Sequence, residues 1–263
     1  MGSAGTNGPL WSVVPDAWGA IVEPFHTPLF AAMLDAAQVR EGTTVLDAGC
    51  GAGTAAAMAL GRGATVTGLD AAEGLLRVAR DKARDATFVL GDIESLDFDD
   101  DSFDVVFAAN SLQYAENLIR TLREFGRVCK PDGRVVAGLF GPPEQVAYTA
   151  VFEAAAGVMP PPPAGATPGG PFALSDEGIL EGAFNDAGLT VLATGEANCP
   201  FVYRGVDHHW EGFRSGGPTQ NMLKIVGEHT LRDAVDEACR PLVREDGTIR
   251  FAPNVYVYVV AQP

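Results

Sequence analysis

Between residues 43 and 140 short apolar runs alternate with helical patterns, and this alternation constrains the fold more than any other feature of the chain. "TTVLDAG" reads as a buried strand, "TAAAMALGR" as a helix of small residues, and "ATVTGLD" as a second strand. "AAEGLLRVARDKA" puts Leu75, Leu76, Val78 and Ala79 on one helical face, and the strands "TFVLGD" and "FDVVFAAN" follow. A helix over "AENLIRTLREFGRVC" stops before Pro131, and "GRVVAGLF" is a fifth strand. Strands that are apolar along nearly their whole length, each followed by a helix, require a parallel sheet covered on both faces. The predicted class is α/β, with a Rossmann-like doubly wound sheet.

The flanks are less regular. Residues 16–38 read as helical, with Leu29, Phe30, Met33, Leu34 and Ala37 at helical spacing after an irregular lead-in that holds Trp11 and Trp18. Residues 141–157 also read as helical. "VMPPPPAGATPGGP" excludes helix and central strand, because proline lacks an N–H donor and fixes its own φ. It is a loop, either a gate over a pocket or an irregular connection. "SDEGILEGAFNDAGLTVLATGE" gives a Ser-capped helix, a stop at Gly188 and a strand. Residues 207–240 are mostly helical, and "PNVYVYVVAQ" alternates as a last strand, which brings the sheet to seven. With 263 residues, 47% of them hydrophobic, the chain can bury one large core. The expected organisation is one domain over 1–263: an N-terminal helical lid (1–40), a cofactor-binding core (41–140), and acceptor-binding insertions with the last two strands (141–263).

Charge and cysteine use narrow the function. A net charge of −16 disfavours nucleic acid as a partner, since phosphate neutralisation needs a positive surface. The run "LDFDDDSFD" lacks the ligand spacing of a calcium loop and reads as solvated. Cys50, Cys129, Cys199 and Cys239 are scattered, with no zinc spacing, so neither disulfide nor metal is expected. No stretch approaches the roughly 20 apolar residues of a spanning helix, and the start lacks a signal peptide's regions, so the expected address is the cytoplasm with no membrane partner.

"VLDAGCGAGT" places glycines at 49, 51 and 53, a G-x-G-x-G series after Asp47, whereas a dinucleotide fingerprint is G-x-G-x-x-G. Such glycines allow a tight turn and let the backbone approach a ligand closely, though tight turns also use glycine for structural reasons alone. Asp70 ends the second strand, where a carboxylate can accept from ribose hydroxyls. Asp92 follows the third strand, where it can meet an exocyclic amine. Three acids on one sheet edge repel pyrophosphate and attract a cationic ligand.

"VLDAGCGAGT", "VTGLDAAEGLLRVAR", "LGDIESLDFDDDSFDVVFAANSLQYAEN" and "GRVCKPDGRVVAGL", in this order, resemble the successive motifs of class I S-adenosylmethionine (SAM)-dependent methyltransferases, in particular small-molecule enzymes similar to the ubiquinone/menaquinone methyltransferases. The resemblance covers residues 43–140 and, more loosely, "LSDEGILEGAFNDAGL". It implies a seven-stranded sheet with an antiparallel last strand, SAM as cofactor and S-adenosylhomocysteine as product. It also implies that Asp47, Ala48, Gly49, Gly51 and Gly53 hold the methionine end. Asp70 and Ala71 would meet the ribose, Asp92 and Ile93 the adenine, and Asn110, Ser111 and Gln113 would border the methionine moiety and the methyl. Trp11 and Trp18 fall where related enzymes fold a helix over the cofactor, or they are core anchors.

Methyl transfer needs an in-line arrangement, so positioning supplies much of the catalysis and a base is optional. For a hydroxyl acceptor a histidine is the natural base. His208 and His209, in "YRGVDHHWEGF", are the candidates ahead of His26 and His229, unless they are a solvated loop pair; Tyr114 after the fourth strand can orient an acceptor, or it is an ordinary interface aromatic. The stretch "NSLQY" lacks the Asn-Pro-Pro-Tyr pattern of amino-methylating enzymes. Phe152, Met159, Phe172, Phe213 and Met222 suggest an apolar acceptor pocket. The expectation is methylation, chiefly at oxygen, of a small hydrophobic metabolite such as a polyketide, in a monomer or homodimer of bacterial type. The rivals are a SAM-assisted cyclisation, pericyclic reaction or elimination on the same fold, a nicotinamide-dependent oxidoreductase, and a non-catalytic binding module.

Overall fold

The computed structural model describes residues 3–161 and 170–263, so the middle of the Pro/Gly run, and with it the gate suggested there, lies outside the described residues. The chain begins with α1 (Ala4–Trp11) and the short α2 (Pro15–Ala17), continues through a π-turn over Trp18–Val22 and a 3₁₀ turn over Glu23–His26, and enters α3 (Thr27–Ala36). The core follows as β1 (Thr44–Ala48), α4 (Thr54–Leu60), β2 (Thr65–Asp70), α5 (Glu73–Lys82), β3 (Thr87–Leu90), β4 (Phe103–Ala109), α6 (Leu118–Val128) and β5 (Cys129–Phe140). After these come α7 (Thr149–Gly157), α8 (Ile179–Asp186), β6 (Thr190–Asn198), β7 (Phe201–Tyr203), α9 (Val206–Arg214), α10 (Gly217–Val226), α11 (Glu228–Cys239), β8 (Ile249–Phe251) and β9 (Val255–Gln262).

Seven strands form one sheet in the order β3-β2-β1-β4-β5-β9-β6. Strands β1 to β5 pair in parallel, while β9 runs antiparallel to both β5 and β6. The expected mostly parallel sheet with an antiparallel last strand is therefore the observed one. Adjacent residues feed opposite faces: Val45, Val105 and Val136 pack with Leu29, Met33 and Ala56. Leu46, Val106 and Val135 pack with Leu122, Phe125 and Phe184 on the other side. Burial on both faces is why these strands read as continuous apolar runs. Leu122, Phe125 and Val128 of α6 are fully enclosed, each worth about 1.5–3 kcal/mol of transfer free energy.

The order reverses between β1 and β4, which opens a crevice at the carboxyl ends of these strands. The N-terminal segment covers it. Sequence predicts an irregular lead-in, because Gly5, Gly8 and Pro9 are poor helix formers; the structure shows α1, stabilised by contacts outside itself. A Cβ on Gly8 would lie 2.2 Å from the Ala71 carbonyl oxygen, and one on Gly217 of α10 would lie 2.6 Å from the Trp11 ring. The Gly74 N–H donates to Ser12 Oγ at 3.1 Å, and the Ser3 N–H to Glu94 Oε1 at 3.0 Å.

One local expectation is corrected. Ser175 does not cap α8: its hydroxyl donates to the Phe140 carbonyl at 2.6 Å, and Gly178, with φ of +77°, opens the helix instead. The two-stranded sheet of β7 and β8 is not foreseen in sequence, since strands this short, separated by α9 to α11, carry no readable period.

Candidate active site

After β1 the backbone turns through Gly49, Gly51 and Gly53 at φ of +83°, +55° and +83°, a region that L side chains avoid. Their close neighbours are protein. A Cβ on Gly49 would meet Ser111 Cβ at 2.4 Å, one on Gly51 would meet Glu23 Oε1 at 2.5 Å, and one on Gly53 would meet Ala79 Cβ at 2.9 Å. Turn handedness and protein packing are thus enough to require glycine at all three positions, and Gly49 and Gly51 also line the cavity described below. Asp70 stiffens the turn, with Oδ2 accepting from the Gly51 N–H at 2.8 Å and Oδ1 from the Ala72 N–H at 2.9 Å.

Glu23, absent from the residues that sequence singles out, is 4% exposed and caps the same turn. It accepts from the Ala52 N–H at 2.7 Å and the Thr54 N–H at 3.2 Å, and it pairs with Lys82 Nζ at 3.0 Å. Its one signal in sequence is an acid isolated in the apolar stretch "AIVEPFH".

A cavity lies between the strand ends and the N-terminal segment. Asp47, Gly49, Gly51, Asp70 and Ala71 line one side. Asp92, Ile93, Asn110 and Ser111 line the other, and Trp11 and Trp18 close it from above. The two indoles meet edge to face with centroids 4.6 Å apart. Ala48 and Gly53 are not among the lining residues; Ala48 contributes through its carbonyl, which accepts from the Ser111 hydroxyl at 2.9 Å.

The electrostatics of this cavity call for a cation. Asp47 is 3% exposed, and its Oδ2 is buried with no hydrogen-bond partner among the described residues. Burial first, then the nearby Glu23 and Asp70 charges, push its carboxyl well above the usual range. Burial likewise raises Asp70 to about 6. A ligand with an ammonium and a sulfonium relieves both penalties, whereas a pyrophosphate would add to them. The residues present therefore fit SAM: Asp47 for its amino group, Asp70 for ribose hydroxyls through its remaining lone pairs, and Asp92 with Ile93 for the adenine.

A second, larger cavity adjoins the first. Trp11, Trp18, His26, Asn110 and Tyr114 line both. Its other walls are largely aromatic, with Phe140, Phe152, Phe172, Phe201 and Phe213 joined by Met222. Met159 is not among them. Gln113, grouped with the cofactor residues on sequence, lines only this second cavity. Its Oε1 is buried without a partner among the described residues, as is Asn110 Oδ1. Asn110 also holds φ at +54°, a strained conformation that its N–H secures by donating to the Gly138 carbonyl at 2.8 Å.

Neither histidine of the candidate pair reaches a cavity. His209 is fully enclosed, its Nε2 2.9 Å from Tyr148 Oη and its Nδ1 3.4 Å from Cys239 Sγ, and burial holds it down to about 3. His208 is half-buried on the outside of α9, where its Nδ1 accepts from the Arg204 N–H at 3.2 Å. The pair sits on a helix rather than in a loop, so consecutive residues face different directions, one to the core and one outward. His229 is exposed on α11. His26, ranked behind the pair on sequence, is the histidine at the site, 4% exposed and lowered by burial to about 4. Its Nε2 lies 2.9 Å from Tyr256 Oη.

Residues 46–137 match the family described as a methyltransferase domain. The chain is 39% identical over 95 residues to a malonyl-[acyl-carrier protein] O-methyltransferase of Serratia marcescens, which takes in 36% of this chain and 37% of that one. It is 34% identical over 121 residues to a demethylmenaquinone methyltransferase of Beutenbergia cavernae, covering 46% and 50%. The chain thus spans about a third to a half of the length of these curated relatives. Among solved structures it resembles a SAM-dependent methyltransferase of Aquifex aeolicus, with a TM-score of 0.52 at 20% identity over 70% of this chain and 92% of that one. It also resembles the [4+2]-cyclase SpnF, with a TM-score of 0.55 at 20% identity over 89% and 80%. These two share its fold while their names give different chemistries, so the family rests on the sequence match. Residues 46–137, about a third of the chain, are thus similar to the methyltransferase domain, and SAM is the cofactor that this similarity implies.

Proposed function

We propose that the chain transfers a methyl group from SAM to a small, largely apolar metabolite, at an oxygen atom. The observation that carries this reading is the shared wall: a ligand in the smaller cavity and one in the larger meet at Trp11, Trp18, His26, Asn110 and Tyr114. Bound SAM supplies an electrophilic methyl on a positively charged sulfur. The protein's part is to align the acceptor and exclude water, and positioning of this kind is worth ~7–11 kcal/mol in intramolecular systems. Trp11 and Trp18 cover the junction, and Asn110 fixes the end of β4 beside it. Burial raises the Tyr114 phenol, so it stays protonated and serves by donating a hydrogen bond to the acceptor rather than by taking its proton. With His208 and His209 away from both cavities, no general base is assigned.

In this reading 1–40 is the lid, 41–140 the cofactor core and 141–263 the part that shapes the acceptor cavity. Of the relatives' names, one gives a malonyl-[acyl-carrier protein] and the other a demethylmenaquinone. The aromatic cavity is better suited to an acceptor of the quinone kind. Abundant Ala, Gly and Arg with scarce Lys supports a bacterial secondary metabolite, such as a polyketide, as acceptor. No described helix is long and apolar enough to cross a membrane. We place the activity in the cytoplasm, in a monomer or homodimer.

The test is incubation with methyl-labelled SAM and a panel of hydroxylated aromatic and polyketide acceptors. Label in the product with equimolar S-adenosylhomocysteine is the expected result. Product formed without S-adenosylhomocysteine would replace this reading with the SAM-assisted cyclisation.

A further inference from the structure

Gln113 lies in the turn Leu112–Tyr114 immediately after β4, and its buried amide oxygen faces no donor among the described residues. An amide oxygen enclosed without a donor is costly, which marks the place where a ligand's hydrogen completes the site. Asn110 Oδ1 is a second such acceptor at the junction of the two cavities.

The charge of the larger cavity is equally informative. None of its described lining residues is Lys or Arg, and its one carboxylate, Glu153, is exposed at the edge. His26 has its Nε2 engaged by Tyr256, and burial disfavours a charged ring. The adjoining cavity carries Asp47, Asp70 and Glu23. An acceptor presenting a carboxylate or phosphate would meet neutral hydrogen-bonding groups and nearby negative charge here, with no cation among the described lining residues to pair it. An uncharged hydroxyl offers the hydrogen that Gln113 lacks.

We propose that Gln113 is the specificity-determining residue of the acceptor cavity, its Oε1 accepting a hydrogen bond from the uncharged hydroxyl of an apolar ring system, and that anionic acceptors are excluded. This rests on the reading of the larger cavity as the acceptor site. It separates the chain from any relative whose acceptor is a carboxylate.

Three fluorescent probes of one ring size test it: hydroxypyrene, pyrene and pyrenecarboxylate, titrated against protein saturated with S-adenosylhomocysteine. Calorimetry of S-adenosylhomocysteine alone comes first, so that failure of the cofactor reading is seen separately. Hydroxypyrene should bind about three- to tenfold more tightly than pyrene, the range expected of one completed hydrogen bond, and pyrenecarboxylate should bind most weakly. Gln113→Leu should erase the hydroxyl preference while pyrene binding is kept, and Gln113→Glu, which retains an acceptor oxygen, should restore it. Equal binding of hydroxypyrene and pyrene, a preference that survives Gln113→Leu, tight binding of the carboxylate, or no binding of any probe to a protein that binds S-adenosylhomocysteine would overturn the proposal.

Discussion

Glu23 Oε2 lies 3.0 Å from Lys82 Nζ, and this pair ties the N-terminal cover to α5 across the glycine turn. The Thr54 hydroxyl completes the cluster, donating to Glu23 and accepting from Lys82 at 2.8 Å. Glu23 is enclosed, whereas the Lys82 side chain is 28% exposed, so the two ends of the pair are unequal. Glu23→Ala leaves the Ala52 and Thr54 donors without their acceptor and should destabilise by roughly 2–4 kcal/mol. Lys82→Met, which removes the end that water reaches, should lose about 1 kcal/mol. Urea denaturation of both variants checks the ranking; equal losses would show that the ion pair, and not the capping of the turn, is the dominant contribution.

Gly49 sits against Ser111, and the contact leaves no room for a methyl group. Gly49→Ala must accept a left-handed backbone, at about 1–2 kcal/mol, and move β4's end as well. The movement displaces Asn110 and Ser111 from the cavity, so affinity for S-adenosylhomocysteine should fall at least about tenfold, or ~1.4 kcal/mol. Gly182, inside α8 with nothing within 4 Å of an added methyl, is the control. Gly182→Ala should stabilise by about 0.5–1 kcal/mol and leave binding unchanged. Calorimetric titration with a parallel melting curve reads both.

His209 and Tyr148 form a neutral buried contact that matters to stability and pH response more than to turnover. The folded His209 titrates near 3 and His26 near 4, both below the ordinary histidine value. Between those values and about 6.5 the unfolded chain takes up protons that the folded chain refuses. The stabilising contribution is thus complete above about 6.5 and is lost as pH falls through this window. His209→Phe should lose about 1–3 kcal/mol at neutral pH with the Tyr148 contact, and its stability should decline less steeply toward acid. His208→Ala should keep turnover within about twofold, as a half-buried position that lines neither cavity. A His208→Ala enzyme with a collapsed rate and a flattened pH profile would reinstate it as a base.

The sheet is legible in sequence because strands covered on both faces and helices with one apolar face leave unmistakable periods, as in Val105–Val106 or in Leu122, Phe125 and Val128. The strand-end acids are legible for a related reason: Asp47, Asp70 and Asp92 follow directly from knowing where strands stop. Contacts between distant segments are not. Glu23 and His26 matter because α3's lead-in folds back over a turn more than twenty residues later, and no local pattern encodes that return. The histidine pair misleads for the same reason. "DHHWEGF" resembles a loop, and only the helix of α9 decides that one ring enters the core while its neighbour faces out. The aromatic second cavity draws its walls from several separate elements, so in sequence its residues look like ordinary core.

Asp70 gives the site a pH dependence of opposite sign to that of the histidines. Burial raises its carboxyl to about 6, even though the Gly51 and Ala72 N–H groups pull the other way. Between the ordinary carboxylate value and about 6 the folded chain holds a proton that the unfolded chain releases, so this contribution to stability falls as pH rises through the window. A cationic ligand reverses the preference by favouring the carboxylate, and binding must then expel the proton. Affinity for SAM should rise about tenfold from pH 5 to pH 7 and flatten above, with proton release in calorimetry run in buffers of different ionisation enthalpy. Asp70→Asn should bind more weakly and without that slope. S-adenosylhomocysteine, which lacks the sulfonium charge, should show a shallower dependence on the native protein. A flat SAM affinity across this range would mean that Asp70 does not face the cofactor's charge.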